Sequence, residues 1–164
     1  MWAVSTWANC IGRDRIIMTN KQKVKGTAWE REAVKRLNEY VNVFKRIPGS
    51  GSLGTILNEP KLAGDIQGKT KDFFNKNFVL EAKTGYGGAK QLTIQKEWFD
   101  KVAEEADSNF AYAGVICKFA DARSGVRHFV AFDLDVFGEM LRYVETLSNE
   151  LNKVYEELAE KENE

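Results

Sequence analysis

The chain has 164 residues, of which 43% are hydrophobic and 29% charged, with two prolines and two cysteines. That size and composition fit one globular domain with a real core. They exclude a disulfide framework or a zinc site, because Cys10 and Cys117 are too few and too far apart, and they make a reducing cytoplasm the natural compartment. No apolar run approaches the ~18 residues of a membrane span, so no membrane partner is expected. The formal net charge of zero conceals an asymmetry: residues 134–164 hold nine acids and three bases, leaving residues 1–133 at net +6. A basic body with an acidic tail fits a polyanion-binding domain, and it also fits an ordinary domain carrying a solvated helix.

Residues 1–17 lack the positive start and unbroken apolar core of a signal peptide. They read, with the basic stretch to residue 22, as an extension (1–22) ahead of a body (23–134) and a C-terminal helix (135–164). Residues 13–46 are the densest basic region, with ten bases against four acids. The first clear helix is expected from about Thr27 to Tyr40, because Thr27-Ala-Trp-Glu30 matches a capping box and Trp29, Ala33, Val34, Leu37 and Tyr40 form an apolar stripe. Val41–Ile47 reads as a strand. A breaker-rich loop, Pro48-Gly-Ser-Gly-Ser-Leu-Gly54, follows and runs to about Leu62. Ala63–Gln67 reads as a short strand holding Asp65, and Gly68–Lys76 as a polar hairpin connection.

In Asn77–Lys83, Phe78, Leu80 and Ala82 alternate with Val79, Glu81 and Lys83, the period of a strand. Glu81 and Lys83 therefore point the same way at the strand's end, just before Thr84-Gly-Tyr-Gly-Gly88. A helix is expected over about 93–107 with Trp98, Phe99, Val102, Ala103 and Ala106 on one face. Phe110–Phe119 reads as a buried strand and Arg127–Phe132 as its hairpin partner. The last helix, about 135–162, carries the seam Phe137, Met140, Val144, Leu147, Leu151, Val154, Leu158 at alternating spacings of three and four. That seam fits a coiled-coil or other helix-mediated dimer contact, and it fits a helix that packs on its own sheet and then continues into solvent. The order of elements defines an α/β fold: a mixed β-sheet flanked by helices, with a long C-terminal helix.

If the second and third strands are hairpin neighbours, Asp65 and Glu81 approach each other across the ladder. Two adjacent carboxylates repel unless a cation lies between them, and an all-oxygen set with open positions suits Mg²⁺, with Mn²⁺ as a substitute. Lys83 could then orient or deprotonate a water, and Glu30 could hold the metal's outer waters. Each residue also has a bland explanation: a cap for Glu30, a turn for Asp65, a solvated ion pair for Glu81 and Lys83.

The ordered set, with its strand placement, resembles the PD-(D/E)XK nuclease superfamily and within it the archaeal-type Holliday junction resolvases, phage or viral members included. The resemblance covers about residues 23–132 and rests on Lys25-Gly26, Glu30-Arg31, the Arg46-Ile-Pro-Gly-Ser50-Gly-Ser52 loop, Asp65-Ile66, Glu81-Ala82-Lys83 and Gln95-Lys96. It implies a restriction-endonuclease-like fold. It implies Glu30, Asp65, Glu81 and Lys83 as the active site, the Ala82 backbone carbonyl as a further metal ligand, and Ser50 near the scissile phosphate with Ser52 its competitor. Lys25, Arg31, Arg46, Ser52, Gln95 and Lys96 are implied in DNA contact. The Ser52–Asp65 connection, with its Glu59, and the long acidic last helix depart from the family pattern.

The expected function is a Mg²⁺-dependent, structure-selective endonuclease that nicks four-way DNA junctions symmetrically as a homodimer, in the cytoplasm or, if phage-encoded, the host cytoplasm. The alternatives are another PD-(D/E)XK endonuclease of repair, nicking or restriction type, and a non-catalytic DNA-binding scaffold.

Overall fold

The computed structural model describes residues 8–50, 62–85, 91–120 and 125–162. In chain order these form α1 (Ala8–Asn38), β1 (Phe44–Arg46), β2 (Ile66–Gly68), the single-turn α2 (Lys71–Phe74), β3 (Asn77–Thr84), α3 (Lys96–Asp107), β4 (Ala111–Lys118), β5 (His128–Phe132) and α4 (Leu134–Glu162). The five strands make one sheet in the order β1-β2-β3-β4-β5. The pairings are antiparallel except for β3 with β4, which run parallel with α3 as their crossover. This is the mixed sheet flanked by helices, with a long C-terminal helix, that the order of elements implied.

The period-two alternation of β3 divides the core in two. Phe78 and Leu80 face α1 and pack with Trp29, Ala33, Ile66, Tyr112 and Ile116. Val79 faces α3 and packs with Ala63, Val102, Ala106, Val115 and Cys117. The first turns of α4 close the α1 side through Val136 and Met140, and Tyr143 stacks on Phe74 with ring centroids 6.0 Å apart. Lys76 ties the same turn down through a 2.7 Å ion pair with Glu139.

Several boundaries differ from those read in the sequence. Helix α1 begins at Ala8, so Thr27 lies inside it and is not an N-cap. A capping box ends a helix backwards only if the chain upstream cannot be helical. Here the upstream run contains no proline, and its one nearby breaker, Gly26, costs only about 1 kcal/mol in a helix interior. Strand β1 is confined to Phe44–Arg46, because Val41 N–H still bonds the carbonyl of Leu37 and extends the helix end into a turn. Strand β2 starts at Ile66, since Gly64 sits at φ +61°, a left-handed conformation that no strand residue holds. The connection expected to be a plain polar turn contains α2, whose Phe74 is drawn into the aromatic cluster with Phe78 and Tyr112. In α3, Ala103 is exposed and does not share the buried face of Val102 and Ala106.

Candidate active site

The site is built at the end of β2 and β3 on the face that carries α3. Asp65 stands at the mouth of β2, with its backbone stitched on both sides. Its N–H donates to the carbonyl of Leu80 at 3.0 Å, and its carbonyl accepts from Ile47 N–H at 2.9 Å. The residue before it, Gly64, has no room for a side chain: a Cβ there would lie 2.6 Å from Val79 Cγ1 and 3.0 Å from the carbonyl oxygen of Leu80. Asp65 is thus pinned where the β2–β3 ladder would place it opposite Glu81. Its side chain accepts two bonds, from Ser50 Oγ at 2.8 Å and from the Ala82 N–H at 3.0 Å. Ser50 is buried and arrives from the segment after β1.

Glu81 is 5% exposed. An ionised carboxylate at that depth costs several kcal/mol unless it is paired. Both oxygens are paired: Oε1 with Lys83 Nζ at 2.7 Å and Oε2 with Lys101 Nζ at 3.1 Å. Lys83 leans its ammonium over the Trp98 ring, 5.2 Å from the centroid. Lys101 stands 3.6 Å from Glu105, one turn further along α3. Glu105 in turn accepts the N–H of Gly64 at 2.6 Å. A closed circuit therefore runs from the Gly64–Asp65 corner through Glu105 and Lys101 to Glu81, with Asp65 beside it. Burial disfavours the Lys101 ammonium, but Glu81, Glu105 and Asp65 outweigh it and hold its pKa above that of an ordinary lysine. Cys117, opposite Lys83 in the β3–β4 ladder, has its thiol pushed up to about 11 by burial despite that neighbour, so it is no nucleophile at neutral pH.

The structure thus brings Ser50, Asp65, Glu81, Ala82 and Lys83 together. The Glu30 carboxylate pairs with Arg46, and the alternation of β1 puts Arg46 on the α1 face with Phe44. Lys25 Nζ bonds the carbonyl of Gly85 at 2.6 Å, where β3 runs out. Arg31 and Gln95 are exposed, and Lys96, also exposed, is held by Asp100 at 2.5 Å. Ser52 and Glu59 lie outside the described residues.

Among the described residues no cluster of three or more His, Cys, Asp or Glu has metal-binding geometry. Two carboxylates at neighbouring strand positions nevertheless suit Mg²⁺, which is commonly held by one or two carboxylates with water and substrate phosphate completing its shell. The residues fit the group, and Asp65 and Glu81 are the ones that would hold it.

Lys101 and Glu105 do not stand out in the sequence, and Trp98 stands out only as part of the apolar face of its helix. The available signal was positional: residues 98, 101 and 105 recur at helical spacing along one edge of α3, beside the buried Val102 and Ala106.

A restriction-endonuclease-like sheet with an acid at the mouth of one strand and Glu-x-Lys at the end of its neighbour defines the nuclease class. A family model described as phage putative PDDEXK endonuclease matches residues 21–162, and the chain belongs to that family. No curated protein and no solved structure matches it.

Proposed function

We propose that the protein is a Mg²⁺-dependent endonuclease that resolves four-way DNA junctions by paired symmetric nicks, Mn²⁺ substituting. The observation that supports the chemistry is the convergence of Asp65, Glu81 and Lys83 at the open end of two adjacent strands. Asp65 and Glu81, with the Ala82 carbonyl as a third oxygen, would hold a divalent cation, which would supply Lewis acidity toward a phosphoryl oxygen and lower the pKa of a nearby water. Lys83 Nζ, fixed between Glu81 and Trp98, orients that water, whose proton passes to bulk solvent. As the water oxygen bonds to phosphorus, the opposite P–O ester bond breaks and its oxygen takes up a proton. Ser50, already donating to Asp65, fixes that carboxylate and lies where the scissile phosphate would approach. Glu30 holds outer waters of that cation and pairs with Arg46, which contacts the DNA backbone. Lys25, Arg31, Gln95 and Lys96 provide further backbone contacts, and Ser52 belongs to the same loop as Ser50.

In this reading residues 23–134 form the nuclease body and the last helix is a dimer arm. The net +6 of residues 1–133 supports phosphate-led recognition of shape. Beyond Tyr143, α4 leaves the sheet, and Val144, Leu147, Leu151, Val154 and Leu158 remain 42–53% exposed in an unbroken heptad register. A two-fold pairing along that seam sets two identical sites against the two symmetric phosphates of a junction.

The test is a denaturing gel of end-labelled immobile junction and matched linear duplex, each with Mg²⁺ and with EDTA. Symmetric nicks in the junction alone, in Mg²⁺ alone, are expected. Equal cutting of both substrates would leave an endonuclease of repair, nicking or restriction type. Junction binding without cutting in Mg²⁺ would leave a DNA-binding scaffold.

A further inference from the structure

We propose that Lys101 is a positioning residue that stands in for the divalent cation at Glu81 and yields its place, moving onto Glu105, when the cation binds. The inference rests on the reading of Asp65 and Glu81 as the metal ligands.

The two carboxylates are satisfied in different ways. Asp65 is held by neutral donors, the Ser50 hydroxyl and the Ala82 amide. Glu81 is capped by an ammonium on each oxygen, Lys83 at 2.7 Å and Lys101 at 3.1 Å. A cation between Asp65 and Glu81 needs one of those Glu81 oxygens, so one ammonium has to give way. Lys83 is the poorer candidate. It is two residues from Glu81 on the same strand, makes the shorter contact, and is held against the Trp98 ring at 5.2 Å.

Lys101 sits on a different element, makes the longer contact, and already has a second acceptor, Glu105 Oε1, at 3.6 Å. Glu105 is itself fixed, because its other oxygen accepts the Gly64 N–H. A small rotation of the Lys101 side chain trades one carboxylate for the other and leaves the ammonium paired throughout. Such an arrangement keeps Glu81 paired and aimed before metal arrives, without a bare buried charge. It also imposes competition: the site binds metal less tightly than the same carboxylates would without Lys101.

The sign of that competition separates this role from simple support. A residue that merely orders Glu81 would, when removed, loosen the site and weaken metal binding. Lys101→Met is expected to bind Mn²⁺ about tenfold or more tightly than wild type, since a positive charge within a few ångströms of the site is lost. Glu105→Gln keeps an acceptor for Gly64 N–H but gives Lys101 no carboxylate to move to. It is expected to weaken Mn²⁺ binding several-fold, and the double variant is expected to bind as Lys101→Met does.

The experiment is isothermal titration of the full chain with Mn²⁺ in the absence of DNA, beside a thermal melt of each variant. If Lys101→Met does not fold, Lys101→Gln, which can still donate to Glu81 without charge, carries the same expectation. Unchanged or weaker Mn²⁺ binding by the neutral variant, with Glu81→Gln abolishing binding, would overturn the role of Lys101 and leave the metal site standing. Wild-type binding that survives both Asp65→Asn and Glu81→Gln, or no Mn²⁺ binding at all, would overturn the metal site and this inference with it.

Discussion

Asp65→Asn separates the chemistry of the site from its architecture. Asp65 accepts one bond from Ser50 Oγ and one from Ala82 N–H. Asparagine can keep the Ala82 bond through its carbonyl oxygen and turn its amide toward Ser50, whose hydroxyl also accepts. What changes is the charge on two hydrogen bonds. A bond to a charged acceptor contributes roughly 1.5–3 kcal/mol and a neutral one about 0.5–1.5, so over two bonds the substitution should cost about 2–3 kcal/mol of stability. For a domain of this length that is a fall in Tm of about 4–12 °C. The effect on cutting should be far larger, because a ligand of the catalytic cation is lost. A deficit of about 4 kcal/mol in transition-state stabilisation corresponds to about a thousandfold in rate. Junction affinity in EDTA should hold or rise slightly, since a negative charge has left a phosphate-facing site. The assays are a thermal melt, single-turnover cleavage of labelled junction, and a filter-binding titration in EDTA. A folded Asp65→Asn protein that cuts within tenfold of wild type would refute the assignment of Asp65.

Gly64→Ala should destabilise by roughly 2–3 kcal/mol, read by urea melt, because alanine at φ +61° is strained and its Cβ would meet Val79 Cγ1 at 2.6 Å. Stability should fall between pH 7.5 and 5.5 through His128, which stacks on Trp29. Burial lowers its pKa, Arg36, Lys118 and Arg127 lower it further, and Glu32 only partly opposes them. The unfolded chain therefore binds the extra proton first and gains on acidification, so a Tm measured across that window should drop less in His128→Gln than in wild type. Below that window Glu32, held low chiefly by its hydrogen bond from Lys118, adds a second acid-side loss as pH falls through its folded pKa. Salt should act in opposite directions on the two associations: with ~6 phosphate contacts, junction affinity should fall about a thousandfold between 50 and 200 mM salt, while pairing of the acidic α4 arms should strengthen, seen by sedimentation. Deleting residues after Ser148 should abolish that pairing and leave the melting temperature of the body nearly unchanged, because the deleted residues that are described make no core contacts.

The elements that were legible in the sequence are those whose signal is local and long. β3 declared itself by strict alternation, and that alternation alone put Glu81 and Lys83 on one face. α4 declared itself by seven seam positions in register, and its observed span, Leu134–Glu162, differs from the reading by one residue. Asp65 was legible as a partner for Glu81, yet its position at the strand mouth depends on the left-handed Gly64, which sequence periodicity does not encode. The start of α1 was misread because a capping box is a strong local signal that is silent when the chain before it is also helix-competent. Glu30 then had no cap to make and found Arg46 in another element. Lys101 and Glu105 were missed for a related reason. On a helix, Lys and Glu four apart look like a solvated pair. Only the packing of Val102 and Ala106 onto the sheet reveals that this edge of α3 leans over the end of β3.

The most direct test of paired, metal-dependent nicking uses a supercoiled plasmid that extrudes a cruciform, incubated with the wild-type protein in Mg²⁺ or EDTA. Two symmetric cuts within one bound complex convert the supercoil straight to a linear molecule. The account expects linear product in Mg²⁺, none in EDTA, and none from Lys83→Met. Accumulation of nicked circles with little linear product would contradict the paired mechanism, and a supercoil untouched in both Mg²⁺ and Mn²⁺ would contradict catalysis itself.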